Sequence, residues 1–332
     1  MAKTYHDKDA DLTLLQEQTI GVIGYGNQGR AQALNLRDSG LKVIVGVRPD
    51  ETQEQARQDG FDVVSIREAA QRAQIVMMLI PDEVMPEVFT GEVLHGLSAG
   101  KTLCFASGYT VAFKSVVPPD NVDVILVAPR MIGAGVRQQY TEGKGFPSFI
   151  GVHQDTTGNA LQTTLAIAKG IGSTRSGVLE LSFAEEAELD LFTEQGFGPA
   201  FGQVLLSAMQ VLTDAGYPAE AVMMELILSG EFAYSLQKIV ELGFFKQMEL
   251  HSHTSQYGSL TRSIRFIQAK MPEMISVTMK QVLEEIRSGA FASEWEAEKK
   301  AGLPNFVQLK DLRELHPLVE WEKKTRQAFR MD

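Results

Sequence analysis

Thr19-Ile-Gly-Val-Ile-Gly-Tyr-Gly-Asn-Gln-Gly29 decides the fold. The apolar run Thr19–Ile23 reads as a buried strand and passes without a break into Gly24-Tyr-Gly-Asn-Gln-Gly29; Ala31 to Asp38 then has helical character and stops at Gly40. Strand, G-x-G-x-x-G and helix in that order form a dinucleotide-binding signature. Gly24 serves the tight turn, Gly26 lets backbone approach a pyrophosphate, and Gly29 allows close helix–strand packing. The free N–H groups at the helix start would face the phosphates, with Tyr25, Asn27 and Gln28 as further contacts on the same loop.

Working outward, Lys42-Val-Ile-Val-Gly-Val47 is a second strand, and the residues after it choose between the two nicotinamide cofactors. Asp50 or Glu51 could accept hydrogen bonds from a ribose 2′-OH and would repel a 2′-phosphate, whereas Arg48 could attract that phosphate or stack on adenine. Acidic residues outnumber basic ones here, which leans to NADH and leaves NADPH open.

Four more apolar runs, Ile75–Ile80, Lys101–Phe105, Val122–Val127 and Ser148–His153, alternate with helical segments. The pattern predicts an α/β domain with a doubly wound parallel sheet. Ligands bind beyond the carboxyl ends of such strands, so the loops at Pro81-Asp82, Ser107-Gly-Tyr109 and Pro129-Arg130 form the expected rim, Gly108 included. From Phe183 onward β-branched alternation almost disappears. The expected division is a Rossmann-type dinucleotide-binding domain over 1–182 and an all-helical domain over 183–332.

At the start of the helical part, Glu186, Asp190 and Glu194 recur every four residues and would share one helical face. Like charges at that spacing repel, so the face is either solvated or holds a cation. Composition narrows the class further. The chain has 332 residues, 44% hydrophobic and 22% charged, as in ordinary globular proteins. A net charge of −11 argues against nucleic acid or an anionic membrane as the main partner. No signal-peptide-like start or membrane-length apolar run is present, so a cytoplasmic location is expected. The single cysteine, Cys104, excludes an internal disulfide and reads as a buried small hydrophobe.

The sequence resembles ketol-acid reductoisomerase in its short, bacterial-type form. The resemblance rests on Gly24–Gly29, Asn35-Leu-Arg-Asp-Ser-Gly40, Pro81-Asp-Glu83, Val127-Ala-Pro129, Ala168-Lys-Gly-Ile-Gly172, Asp190-Leu-Phe192, Glu194-Gln195, Ala215-Gly-Tyr217 and Gln256-Tyr-Gly258, in order along nearly the whole chain. It implies magnesium-assisted alkyl migration in a 2-hydroxy-3-keto acid, followed by hydride transfer from NAD(P)H. By resemblance Asp190 is the bridging metal aspartate and Glu194 its partner. Glu225 is the first of two later glutamates for a second metal, and Ser252 contacts the substrate carboxylate. The helical domain would be intertwined into a knotted core, with active sites completed across at least a dimer.

Several positions depart from the family pattern. Ser107 replaces a histidine, Arg130 a lysine, Met131-Ile132 a Gly-Pro pair and Ser229 the second later glutamate. Glu231 lies two residues, about 200°, further round a continuous helix. Arg30 replaces a histidine and could pair with the pyrophosphate. Arginine keeps the charge of lysine but is a poor proton donor. Three readings follow: a ketol-acid reductoisomerase acting on 2-acetolactate-type acids in branched-chain amino acid biosynthesis; a divergent reductase of a 2-oxo acid or related carbonyl or imine without alkyl migration; and a non-catalytic dinucleotide-binding protein. The retained Gly-rich loop, Asp190 and Glu194 weigh against the third.

Overall fold

Nine strands form one sheet in the order β1-β9-β8-β7-β6-β5-β2-β3-β4. In chain order they are β1 (Thr4–Tyr5), β2 (Thr19–Ile23), β3 (Lys42–Gly46), β4 (Asp62–Val64), β5 (Ile75–Met78), β6 (Thr102–Phe105), β7 (Asp123–Pro129), β8 (Ser148–Gln154) and β9 (Val178–Glu180). The computed structural model describes residues 2–331 and divides into two compact units after Leu189. Every residue of β5, β6 and β7 is buried, because helices cover both faces of the sheet. Continuous apolar runs are the sequence record of that burial.

From β4 to β7 the sheet is parallel throughout. The expected all-parallel order fails at β8, which runs antiparallel to β7, and at β1, antiparallel to β9. The first unit holds α1 (Asn27–Asp38), α2 (Glu51–Gln58), α3 (Ile66–Arg72), α4 (Gly133–Thr141), α5 (Ala160–Ile171) and most of α6 (Phe183–Phe192), which runs past Leu189, with single turns between them. α4 explains the reversal. It begins just after Pro129 and the chain returns through Gly143 and Gly145 to pair Ser148 with Pro129, so the excursion ends where it began.

β2 lies between β3 and β5, the point at which the strand order reverses, and the Gly-rich loop leaves its carboxyl end there. Cys104 is fully buried in β6 and burial pushes its thiol pKa up to about 12, which fits an inert core residue.

The second unit contains helices and turns among its described residues: α7 (Gly198–Asp214), α8 (Glu231–Leu242), α9 (His253–Gln268), α10 (Met271–Arg287), α11 (Ala290–Lys300), α12 (Pro304–Glu314) and α13 (Pro317–Phe329) are its longer elements. Its own core is small. Met209, Val222 and Met223 are buried together, with Leu205, Leu318 and Trp321 packed around them.

Candidate active site

The Gly-rich loop has the stereochemistry its glycines require. Gly24 sits at φ +93°, and a Cβ there would lie 2.6 Å from both Ile80 and the Leu79 carbonyl. At Gly29 a Cβ would come within 2.2 Å of the Gly24 carbonyl oxygen. Gly26 is different: a Cβ would meet nothing within 4 Å, so its missing side chain leaves open space rather than relieving a clash. Gly26 is also the N-cap of α1 and offers no side chain to the first N–H groups. Open backbone and unfilled donors at a helix start suit a pyrophosphate. A cavity of ≈ 380 Å³ begins there, lined by Gly24, Gly26, Arg48, Asp50, Pro81 and Val84 among others. The residues present therefore fit a dinucleotide.

Around that cradle the side chains are held from below. Tyr25 is buried and donates its hydroxyl to Asp59 at 2.8 Å; burial raises its pKa. Arg30, considered above as a pyrophosphate partner, lies instead against Asp59 at 2.7 and 3.1 Å. The Arg30 hydrogen bond holds the Asp59 carboxyl below its ordinary range. Gln28 donates to the Met131 carbonyl at 2.8 Å, and Asn27 packs against Gly133. At the far end, Asp50 caps α2 by accepting from Thr52 N–H at 2.9 Å and the Thr52 hydroxyl at 2.6 Å, and those bonds lower its pKa. Arg48, Asp50, Glu51 and Pro81 are exposed, and Asp82 is half-buried.

Glu186 stands four residues before Asp190 on α6, as the spacing predicts, but it is not a solvated carboxylate. It shares the inward stripe of α6 with Phe183 and Ala187, and all three are buried. One carboxylate oxygen accepts from Arg130 Nη2 at 2.7 Å and the other from the Gly108 N–H at 2.6 Å. Gly108 is thereby explained: it is buried, its N–H is taken by Glu186, and a Cβ would lie 2.1 Å from the Phe183 carbonyl. Arg130 is further placed by its position 4.8 Å over the Phe149 ring and by its N–H donating to Pro147 at 3.0 Å. Ser107 is half-buried beside this network, its hydroxyl accepting from Tyr109 N–H at 3.2 Å. The cue to Glu186 was its place between Phe183 and Ala187. The i, i+4 charge spacing obscured it.

In the second unit, Glu194 lies in a π-turn over Thr193–Phe197, so the four-residue spacing does not carry through from α6. Glu194 and Glu225 are exposed; Glu225 lies in a second π-turn, Met224–Leu228. The helix then breaks at Gly230, φ +79°, before Glu231 opens α8. The 200° rotation between Ser229 and Glu231 on one continuous helix therefore does not apply. Ser252 caps α9, accepting from Ser255 N–H at 3.2 Å. Among the described residues no three His, Cys, Asp or Glu side chains converge on one point, so the single chain does not gather Asp190, Glu194 and Glu225. Hard carboxylate oxygens are nonetheless the donor type magnesium takes.

The profile of the family described as "Acetohydroxy acid isomeroreductase, NADPH-binding domain" matches residues 14–177, and "Ketol-acid reductoisomerase, C-terminal domain" matches 183–331. This chain belongs to the ketol-acid reductoisomerase family. A "Ketol-acid reductoisomerase (NADP(+))" of Methanocaldococcus jannaschii is 41% identical over 332 residues, 98% of each chain. A solved NADH-preferring ketol-acid reductoisomerase from an uncultured archean superposes with a TM-score of 0.91 at 34% identity, again covering 98% of both chains. A semialdehyde dehydrogenase NAD-binding protein from Cupriavidus necator, at 16% identity and TM-score 0.60 over 82% of this chain and 99% of that one, shares the fold alone. The ketol-acid reductoisomerase family comprises NAD(P)H-dependent, magnesium-requiring oxidoreductases of branched-chain amino acid biosynthesis, and this chain is one of its oxidoreductases.

Proposed function

We propose that this ketol-acid reductoisomerase carries out both halves of the family reaction on a 2-acetolactate-type acid despite its altered rim. The observation that carries the reading is the Arg130–Glu186 pair. Where the family pattern has lysine, this chain has an arginine with a buried acidic partner at 2.7 Å, an arrangement built around a fixed cation rather than left by drift. A nicotinamide seated on Gly24–Gly29 would supply the hydride, and magnesium held by carboxylates such as Asp190 would supply polarisation of the substrate oxygens.

Arg130 would hold the substrate's developing negative charge through its fixed fork of N–H donors. Protons would then come from water. Ser107 and Ser252 would orient the substrate, and Asp190, Glu194 and Glu225 would furnish metal oxygens. Asp50 at the mouth of the cavity, acidic and already ionised, supports the lean to NADH, although Arg48 on the same rim keeps NADPH in play.

The protein would act as at least a homodimer. Val240, Phe245 and Leu315 are 87%, 78% and 80% exposed, and an apolar groove of ≈ 810 Å³ runs past Val204, Val211, Phe266, Met274, Ile275 and Met279. Such surface calls for a partner. No helix among the described residues is long and apolar enough to cross a membrane; the cytoplasmic location is proposed from the biosynthetic role of the family.

Oxidation of NADH and NADPH with magnesium tests the reading, offering 2-acetolactate and its rearranged 3-hydroxy-2-keto acid in parallel. Turnover of both is expected. Turnover of the second alone would favour reduction without migration, the reading that Ser229 supports. Turnover of neither, with tight dinucleotide binding, would leave a binding protein.

A further inference from the structure

α1 carries Gln28, Gln32 and Asn35 at i, i+4 and i+7 on one face, and Ser39, its C-cap, continues the row at i+11. An amphipathic helix normally buries an apolar stripe at that spacing. Here Gln32 and Asn35 are fully buried, and the face is hydrogen-bonded to backbone of other elements. Asn35 donates to the carbonyls of Val136 and Ile171 at 3.3 and 3.0 Å, and Ser39 to that of Gly170 at 2.7 Å. At the end nearest the Gly-rich loop, Gln28 Nε2 donates to the Met131 carbonyl at 2.8 Å. Behind it Gln32 Nε2 donates to Gln28 Oε1 at 3.1 Å, which fixes the Gln28 amide with its nitrogen toward Met131.

Gln32 is costly. Its own Oε1 is buried without a partner, a penalty that an apolar side chain of the same length would avoid. What Gln32 adds is the orientation of Gln28. Gly133 tightens the same junction, since a Cβ there would lie 2.0 Å from the Asn27 carbonyl oxygen.

We infer that Gln28 is a positioning residue for Arg130, a strut between the dinucleotide loop and the Arg130–Ile132 turn, with Gln32 as its brace. This rests on the reading above in which Arg130 serves the substrate. The turn is held on one side by the Arg130 N–H to Pro147 and on the other by the Met131 carbonyl to Gln28. A dinucleotide seated on Gly24–Gly29 orders the first turn of α1, and through Gln28 it orders the turn that carries Arg130.

Hydrogen exchange of peptides spanning 130–137, with and without saturating NADH, tests the strut without requiring turnover. NADH is expected to slow exchange there about tenfold in the wild type and to have little effect in Gln28→Met, which keeps length and loses the donor. The dissociation constant of NADH should stay within about threefold, because both ends of the Gln28 amide are taken by Met131 and Gln32 rather than turned to the dinucleotide, and the Gly26 backbone is untouched. Should Gln28→Met fail to fold, Gln32→Met frees the Gln28 amide and should remove most of the protection. Absence of protection in the wild type, or protection that survives in both variants at saturating NADH, overturns the inference. So does a dissociation constant raised about tenfold, which would make Gln28 a dinucleotide ligand. On the rearranged keto acid, Gln28→Met should lower kcat about tenfold with KM for NADH little changed, and far less in an Arg130→Met background, where the residue it positions is gone. A wild type inactive on both substrates would sink the functional reading, while the exchange data would still decide the strut.

Discussion

Arg130 Nη2 lies 2.7 Å from Oε1 of Glu186, and the carboxylate is completely buried while the guanidinium keeps about a quarter of its surface in solvent (23%). The asymmetry fixes which partner depends on the other. Arg130 can turn to water; Glu186 cannot.

Removing the cation should therefore cost more than removing the carboxylate. Arg130→Met leaves the buried Glu186 carboxylate its Gly108 N–H but takes away the cation at 2.7 Å, a loss on the order of 3–5 kcal/mol. Glu186→Gln keeps an acceptor for the Gly108 N–H and lets Arg130 rehydrate, for about 1–2 kcal/mol. Arg130→Lys should fall between. Urea unfolding of the three variants measures the order, and a Glu186→Gln loss exceeding that of Arg130→Met would show that Glu186 is not the dependent partner.

The three glycines of the loop should separate binding from folding. Gly26→Ala meets open space at an ordinary φ of −78°, so its melting temperature should hold while dinucleotide affinity falls about tenfold or more as the methyl enters the pyrophosphate path. Gly29→Ala drives a Cβ to 2.2 Å from the Gly24 carbonyl oxygen and should cost about 1–3 kcal/mol of stability in the absence of any ligand. Calorimetry paired with NADH titration distinguishes them. Equal thermal losses in both variants would contradict the open space at Gly26.

Asp50→Asn keeps an acceptor for Thr52 N–H and removes the charge at the cavity mouth. The ratio of kcat/KM for NADPH over NADH should rise about tenfold, worth about 1.4 kcal/mol of discrimination. A ratio unchanged with stability lowered would confine Asp50 to capping α2.

Legibility in the sequence followed the range of the physics. β2, the Gly-rich loop and α1 are contiguous, and their apolar run, turn chemistry and helical period all agree, so they could be read directly. β5, β6 and β7 were legible because strands covered on both faces are apolar at every position. β1, β4 and β9 are two or three residues long and carry no period of their own. The antiparallel β8 escaped because α4 looks like any crossover helix until its return to Pro129 is known. At the site, the Glu186–Arg130 bond spans 56 residues, and local spacing pointed Glu186 toward a cation shared with Asp190. The π-turns at Thr193–Phe197 and Met224–Leu228 break the helical register on which carboxylate spacing was judged. The polar stripe on α1 was visible as letters, but polar residues at helical spacing ordinarily mark a solvated face.

A carboxylate far from the site sets an acid limit on stability. Asp123 is 1% exposed and accepts four hydrogen bonds, from Thr156 N–H and hydroxyl at 2.8 and 2.9 Å and from Thr157 N–H and hydroxyl at 3.0 and 2.6 Å. Burial alone would raise its pKa; the Thr157 and Thr156 bonds outweigh it, and the net shift is downward. An unfolded aspartate titrates near about 3.9, so the ionised form favours the folded state fully above that pH. The contribution fades as pH falls through the lower folded value. Asp123→Asn places an amide NH₂ against donors and should be destabilised at pH 7, with the gap to wild type narrowing below about pH 4 as the wild-type carboxylate protonates. Urea unfolding at pH 7, 5, 4 and 3 measures that gap, and a difference that stays constant to pH 3 would show that the charge of Asp123 is not what the threonines hold.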